Sequence, residues 1–84
     1  MEASRVKELI TAGLTASHVE VADTTGTGDH FSAVVVSDDF QELSLVEQHQ
    51  LVYKTLGNHL TNEIHALQLK TFSKSAWEKT NLEA

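Results

Sequence analysis

Cysteine is missing from this chain of 84 residues. Disulfides, thiolate nucleophiles and cysteine-only metal sites are therefore excluded. No apolar run approaches the ~20 residues of a membrane span. The N-terminal segment has the pattern of a polar helix rather than a signal peptide, so a soluble, cytoplasmic protein without membrane association is expected. Basic charge is scarce: six Lys and Arg stand against twelve Asp and Glu, for a formal charge of −6, and Arg5 is the sole arginine. Nucleic-acid surfaces usually neutralise phosphates with clustered Lys and Arg, so this balance weighs against such a role. Internal repeats, charge runs, low-complexity segments and linkers are also absent. Gly26 and Gly28 form only Gly-x-Gly, short of a phosphate-binding fingerprint.

What is present fits one small domain spanning residues 1–84, with an ordered core from about 3 to 79. Hydrophobic residues make up 40% and charged residues 21%, which is ordinary globular composition. Val6, Leu9, Ile10 and Leu14 build one face of a first helix that Ser4 can cap, with Gly13 as a left-handed cap at its end. His18–Asp23 alternates as a strand, with Val19 and Val21 on one face. The polar loop 24–29 leads into a second strand over His30–Ser37, rich in Val and Phe. Ser44-Leu45-Val46-Glu47 is a capping box. It opens a helix whose apolar stripe takes in Leu45, His49, Val52 and Leu56, and Gly57-Asn58 interrupts that helix before Leu60. Ser73 or Ser75 can cap a last helix carrying Trp77, with Ser75 and Glu78 as a second capping box and fraying expected over Asn81–Ala84. The expected fold is α+β, of order αββαβα, with a three-stranded mixed sheet and the helices on one face.

The stretch Asn62–Phe72 reads as the third strand. His65, Leu67, Leu69 and Thr71 alternate with Ile64, Ala66, Gln68 and Lys70, which puts the first set on a buried face and leaves Glu20, Ser32, Gln68 and Lys70 on the polar face. A strand–helix–strand crossover makes the second and third strands parallel. Their beginnings then lie at the same end of the sheet, ~5 Å apart if they are neighbours. His30 and His65 would meet there as two candidate metal ligands, provided that the loop turns His30 toward His65. Two imidazoles do not complete a four-ligand site. A histidine at a strand end is also commonly a hydrogen-bonded structural residue. Of the other three, His49 fits packing on its helical stripe, and His18 and His59 fit the surface or its boundary.

Gly28-Asp29-His30-Phe31, His49-Gln50-x-Val52-Tyr53, Ile64-His65-Ala66-Leu67 and the late Trp77 together resemble the BolA family, over nearly the whole chain. That resemblance implies a fold like a type II KH domain. It also implies a monothiol glutaredoxin as partner in a heterodimer, sharing a [2Fe–2S] cluster. His65 and His30 would be the chain's ligands, in the subgroup with His in the loop before the second strand. The glutaredoxin cysteine and its bound glutathione would supply the thiolates. Partner contact is implied for Thr27, Gly28, Asp29, His30, Ala66 and Lys70. The chain departs from the family pattern where relatives often carry Phe-x-Gly-Lys-Ser: here the run is Phe40-Gln41-Glu42-Leu43-Ser44. Gln48 replaces an Arg often found before His-Gln, and Ser73–Ala76 departs from the usual approach to the Trp.

The function expected from this resemblance is an iron–sulfur adaptor or regulator in iron–sulfur trafficking or redox and iron sensing. Cluster binding should weaken as pH falls through the ~6.5 range of histidine, because a ligating nitrogen must be unprotonated. The alternative is a nucleic-acid-binding transcriptional regulator. KH domains clamp RNA with a Gly-x-x-Gly loop, which this sequence lacks. No nucleophile motif is present, and so small a domain leaves little room for a substrate pocket, so an enzyme is not expected.

Overall fold

The computed structural model describes residues 1–83. Helix α1 (Ala3–Gly13) leads to strand β1 (Ala16–Asp23) and strand β2 (His30–Ser37); a 3-10 turn (Asp38–Phe40) then precedes helix α2 (Leu45–Leu56). A single helical turn, α3 (His59–Asn62), strand β3 (Ala66–Phe72) and helix α4 (Lys74–Glu83) complete the chain. The sheet order is β1-β2-β3. β1 and β2 pair antiparallel, with Val19 opposite Val35 and an irregularity between Ala16 and His18. β2 and β3 pair parallel, from His30 opposite Ala66 to Val36 opposite Phe72. This is the expected α+β fold with a mixed sheet.

The core lies between the sheet and helices α1 and α2. Val6 and Ile10 of α1, Val52 and Leu56 of α2, and Val19, Phe31, Ala33 and Val35 of the sheet all lie within it, joined by Phe40 and Ile64. Removing each of the Val, Leu, Ile and Phe side chains from water contributes about 1.5–3 kcal/mol, before the entropy of ordering the chain is set against it. Alternation holds in β2, where Phe31, Ala33 and Val35 are buried, and in β3, where Leu67 and Leu69 are half-buried and Thr71 is buried. Thr71 donates its hydroxyl to Gln48 of α2 at 2.7 Å. Gln48 thus ties the helix to the sheet.

Helices α1 and α2 cover one face of the sheet, but the expectation that all the helices lie on that face does not hold for α4. The Trp77 ring of α4 lies against the other, stacked on His18 at 5.2 Å between centroids and tilted against Phe72 at 5.3 Å. Val36, opposite both His18 and Phe72 in the ladders, is accordingly buried although its neighbour Val35 faces the main core. The polar face of the sheet is therefore apolar at this end.

Local features differ from expectation in several places. Ser4 does not cap α1: the capping position is Glu2, without a side-chain bond. Gly13 is not left-handed, since the cap that follows it is an extended Leu14. Its reason is packing, because a Cβ there would lie 2.5 Å from Thr55 Cγ2 and 2.8 Å from Thr55 Cβ. The Ser44–Glu47 capping box is present. Leu45 is 61% exposed, however, so the buried stripe of α2 begins a turn later. Ser73, not Ser75, accepts from the Ala76 amide at the start of α4. Of the expected fray over Asn81–Ala84, residues 81–83 continue α4, and Ala84 lies outside the described residues.

The stretch Asn62–Phe72 is only partly a strand. Asn62 closes α3, and the chain bends at His65 before β3 begins at Ala66. The bend breaks the period of two. Ile64, expected on the polar face, is 2% exposed and belongs to the core. His65, expected on the buried face, is exposed.

Candidate functional site

The end of the sheet where β2 and β3 begin is built from the loop 24–29 and the bend at His65. Gly26 and Gly28 both adopt positive φ, 75° and 76°, which lets the loop curl over the side chain of Asp23. The Asp23 carboxylate accepts from the amides of Thr25 at 3.2 Å, Gly26 at 2.8 Å and Gly28 at 2.9 Å. Desolvation works against its charge, yet the amides of Gly26, Gly28 and Thr25 outweigh it and hold Asp23 below its ordinary pKa of 3.8. At the loop's far end the Thr24 amide donates to the His30 carbonyl at 2.9 Å. The connection is thus a closed, internally bonded unit.

His30 and His65 meet. Their rings are 6.3 Å apart and nearly perpendicular, at 86°. The sequence expectation was that the loop must turn His30 toward His65. Instead, His30 takes its place as the first residue of β2 beside buried Phe31, and His65 leaves the buried phase at the bend. The main chain locks this arrangement: the His65 amide donates to the Asp29 carbonyl at 2.8 Å, and the Ala66 amide does so at 3.3 Å.

Asp29 lies between the two imidazoles, a role that sequence reading missed. Its Oδ1 accepts from His30 Nδ1 at 2.9 Å, and its Oδ2 is 3.4 Å from His65 Nδ1. The Thr27 hydroxyl also donates to Oδ1, with Thr25 Oγ1 behind it at 2.5 Å. The Thr27 hydroxyl and then the His30 imidazole hold the Asp29 carboxyl down at about 2. The signal available in the sequence was an acidic residue next to a candidate ligand, since metal-binding histidines commonly give their other nitrogen to a carboxylate.

Neither Nε2, on His30 or on His65, has a hydrogen-bond partner among the described residues, and both side chains are open to solvent, 43% for His30 and 58% for His65. Among the described residues no group of three or more His, Asp or Glu side chains could hold a metal. The pair therefore offers two nitrogens, and a metal held there would need further ligands from elsewhere. Such a donor set fits a shared cluster and does not fit a closed structural zinc site. Beside His65, a shallow groove of about 250 Å³ is lined by Tyr53, Leu60, Ile64, Ala66 and Leu67.

Thr27, Gly28, Asp29 and Ala66 all gather around the pair. Lys70 does not: it lies four residues beyond Ala66 on β3, roughly 13 Å along the strand, opposite Val34. The other histidines are elsewhere. His59 pairs with Glu63 at 2.5 Å, His49 packs edge-on to Tyr53, and His18 lies under Trp77. Among the described residues no helix is long and apolar enough to cross a membrane.

Comparison with known proteins agrees with this architecture. The family model described as BolA-like protein matches residues 10–76. A BolA-like protein of Dictyostelium discoideum is 34% identical over 86 residues, covering 93% of this chain and 75% of that protein. A protein of Vibrio cholerae named as the DNA-binding transcriptional regulator BolA is 41% identical over 59 residues, covering 70% of this chain and 56% of that protein. The crystal structure of a Bol-like protein from Babesia bovis superposes with a TM-score of 0.86 at 27% identity, covering 96% of this chain and 94% of that one.

Proposed function

This chain belongs to the BolA family, and from that membership together with its paired imidazoles we propose that it is an iron–sulfur adaptor. In this reading it binds a monothiol glutaredoxin as a heterodimer and co-ligates a [2Fe–2S] cluster through His30 and His65. The observation that carries the proposal is the meeting of two solvent-accessible imidazoles at one end of the sheet, 6.3 Å between ring centroids, with no group of three possible ligands among the described residues. The chain supplies nitrogen, and thiolate has to come in trans, because cysteine is absent.

The chain's own part is to hold two imidazoles at a fixed spacing and to leave them accessible. The cluster, when bound, supplies one-electron redox chemistry, and replacing thiolate by imidazole makes its surroundings less negative, as in Rieske centres. Thr27, Gly28, Asp29 and Ala66 frame the approach of the partner, and the apolar groove beside His65 provides surface for it. No catalytic role is assigned to any residue, and the adaptor works in the cytoplasm.

The test is anaerobic reconstitution of the chain with a monothiol glutaredoxin, glutathione, iron and sulfide. A heterodimer whose visible spectrum differs from that of glutaredoxin alone is expected. A mixture that gives only the glutaredoxin spectrum contradicts the proposal.

A second reading, a nucleic-acid-binding regulator, is favoured by the name of the Vibrio cholerae relative. The formal charge of −6 and the pairing of Arg5, the sole arginine, with Glu8 disfavour it. Binding to DNA or RNA that falls steeply with salt, indicating several phosphate contacts, would place it first.

A further inference from the structure

One carboxylate, Asp29, faces both imidazoles through the same ring atom, and it is built into the main chain that carries them. Its Oδ1 meets His30 Nδ1 at 2.9 Å, its Oδ2 lies 3.4 Å from His65 Nδ1, and its carbonyl accepts the His65 amide at 2.8 Å. We propose that Asp29 is a positioning residue that locks His30 and His65 together in the Nδ1–H tautomer, so that both present a bare Nε2 to an incoming metal. The identity of that metal rests on the cluster reading above; the tautomer does not.

The chemistry is set by hydrogen-bond inventory. An ionised carboxylate only accepts, so a ring nitrogen hydrogen-bonded to it carries the proton, as His30 Nδ1 does. At 2.9 Å His30 makes a full hydrogen bond. At 3.4 Å the contact to His65 is longer, but an Nδ1 lone pair facing the same charged oxygen would be repelled, so the preference has the same sign. A neutral imidazole has one ring proton. Placing it on Nδ1 leaves Nε2 as a lone pair, the form that binds a metal. Asp29 has two oxygens and spends one on each ring, while Thr27 secures the carboxylate from the side. The closed loop behind it, bonded to Asp23, keeps this support rigid.

The arrangement makes asparagine an informative replacement. Its side chain has the same shape but only one accepting oxygen, and its other terminus donates. It can satisfy one ring as Nδ1–H only by facing the second ring with an N–H, which demands the opposite tautomer there. Asp29→Asn should therefore spoil one of the two ligands by misplacing a proton, with the fold intact.

The first measurement uses the free chain, labelled with ¹⁵N, at mildly alkaline pH. Two-bond ¹H–¹⁵N correlation spectra report which ring nitrogen is protonated. In the wild type both His30 and His65 should be Nδ1–H. In Asp29→Asn one ring should keep that pattern and the other reverse it, and in Asp29→Ala both should move toward the Nε2–H form that free imidazole side chains favour in water. Either ring found as Nε2–H in the wild type, or both rings unchanged in Asp29→Asn, overturns the assignment. The second measurement is the lifetime of the reconstituted cluster with glutaredoxin against a chelator. It should shorten about 10–100-fold in Asp29→Asn, the usual effect of losing an outer carboxylate partner, at an unchanged thermal midpoint. An unchanged lifetime overturns the positioning role. If the wild-type mixture gives only the glutaredoxin spectrum, the cluster reading fails by itself, and the tautomers of the free chain still decide the assignment of Asp29.

Discussion

The carboxylate of Asp23 accepts a hydrogen bond from the amide of Gly28 at 2.9 Å, five residues further on. That bond closes the loop which carries Asp29 and His30 to the start of β2. Because the loop amides hold the Asp23 carboxyl below its ordinary 3.8, the charged form stabilises the folded state. A depressed carboxyl contributes stability that is complete above its unfolded value and lost as pH falls through the folded one. Asparagine can keep only one of the two accepting oxygens, so Asp23→Asn should lower the thermal midpoint near neutrality. The gap between the variant and the wild type should shrink once pH drops below about 4. Midpoints recorded across pH check this; a gap independent of pH would contradict it.

Glu42 adopts a positive φ of 67°. The left-handed conformation costs a side-chain-bearing residue roughly 1–2 kcal/mol, and glycine gives back about 0.5–1 kcal/mol through its greater freedom when unfolded. Glu42→Gly should therefore stabilise the chain by about 0.5–1 kcal/mol, read from denaturant midpoints. Destabilisation would show that the Glu42 side chain makes a contribution larger than its backbone strain.

Gly13 shows the opposite balance. Alanine is the better helix former by about 1 kcal/mol, but its Cβ would meet Thr55 Cγ2 at 2.5 Å and Thr55 Cβ at 2.8 Å. Rotating Thr55 relieves the first contact and not the second, and overpacking of this kind costs about 1–3 kcal/mol. Gly13→Ala should destabilise, and adding Thr55→Ala should restore part of the loss. A stabilised single variant would mean that α1 and α2 separate freely.

Trp77 covers His18, Phe72 and, through them, the buried end of the sheet's second face. Trp77→Ala should cost about 2–3 kcal/mol, somewhat less than a fully buried tryptophan. Because the ring lies away from His30 and His65, the spectrum of the reconstituted cluster should be unchanged below the unfolding transition.

Much of this architecture was legible in the sequence because it follows from local chemistry. The β2 segment His30–Ser37 is marked by its valines, the capping box by Ser44 and Glu47, and the parallel pairing of β2 and β3 by the helix between them. What escaped depends on neighbours distant in the chain. The alternation of Leu67, Leu69 and Thr71 was extended backward to Ile64 and His65, but Ile64 is drawn into the core as the chain leaves α3, and the bend flips the phase. Gly13 looked like a cap because the partner that requires it, Thr55, is on another helix. Trp77 reaches the second face because of how α4 leaves β3, which no period reports. The meeting of His30 and His65 was foreseen from topology, while its physical means, Asp29 and the bend, was not.

Whether these two imidazoles bind a cluster is read most directly by pulsed electron paramagnetic resonance of the reduced, reconstituted complex with a monothiol glutaredoxin. Hyperfine couplings from two directly bound histidine nitrogens are predicted in the wild type, with one lost in His65→Ala and the other in His30→Ala. A wild-type spectrum without strongly coupled nitrogen, or one unaltered by His65→Ala, would contradict the account.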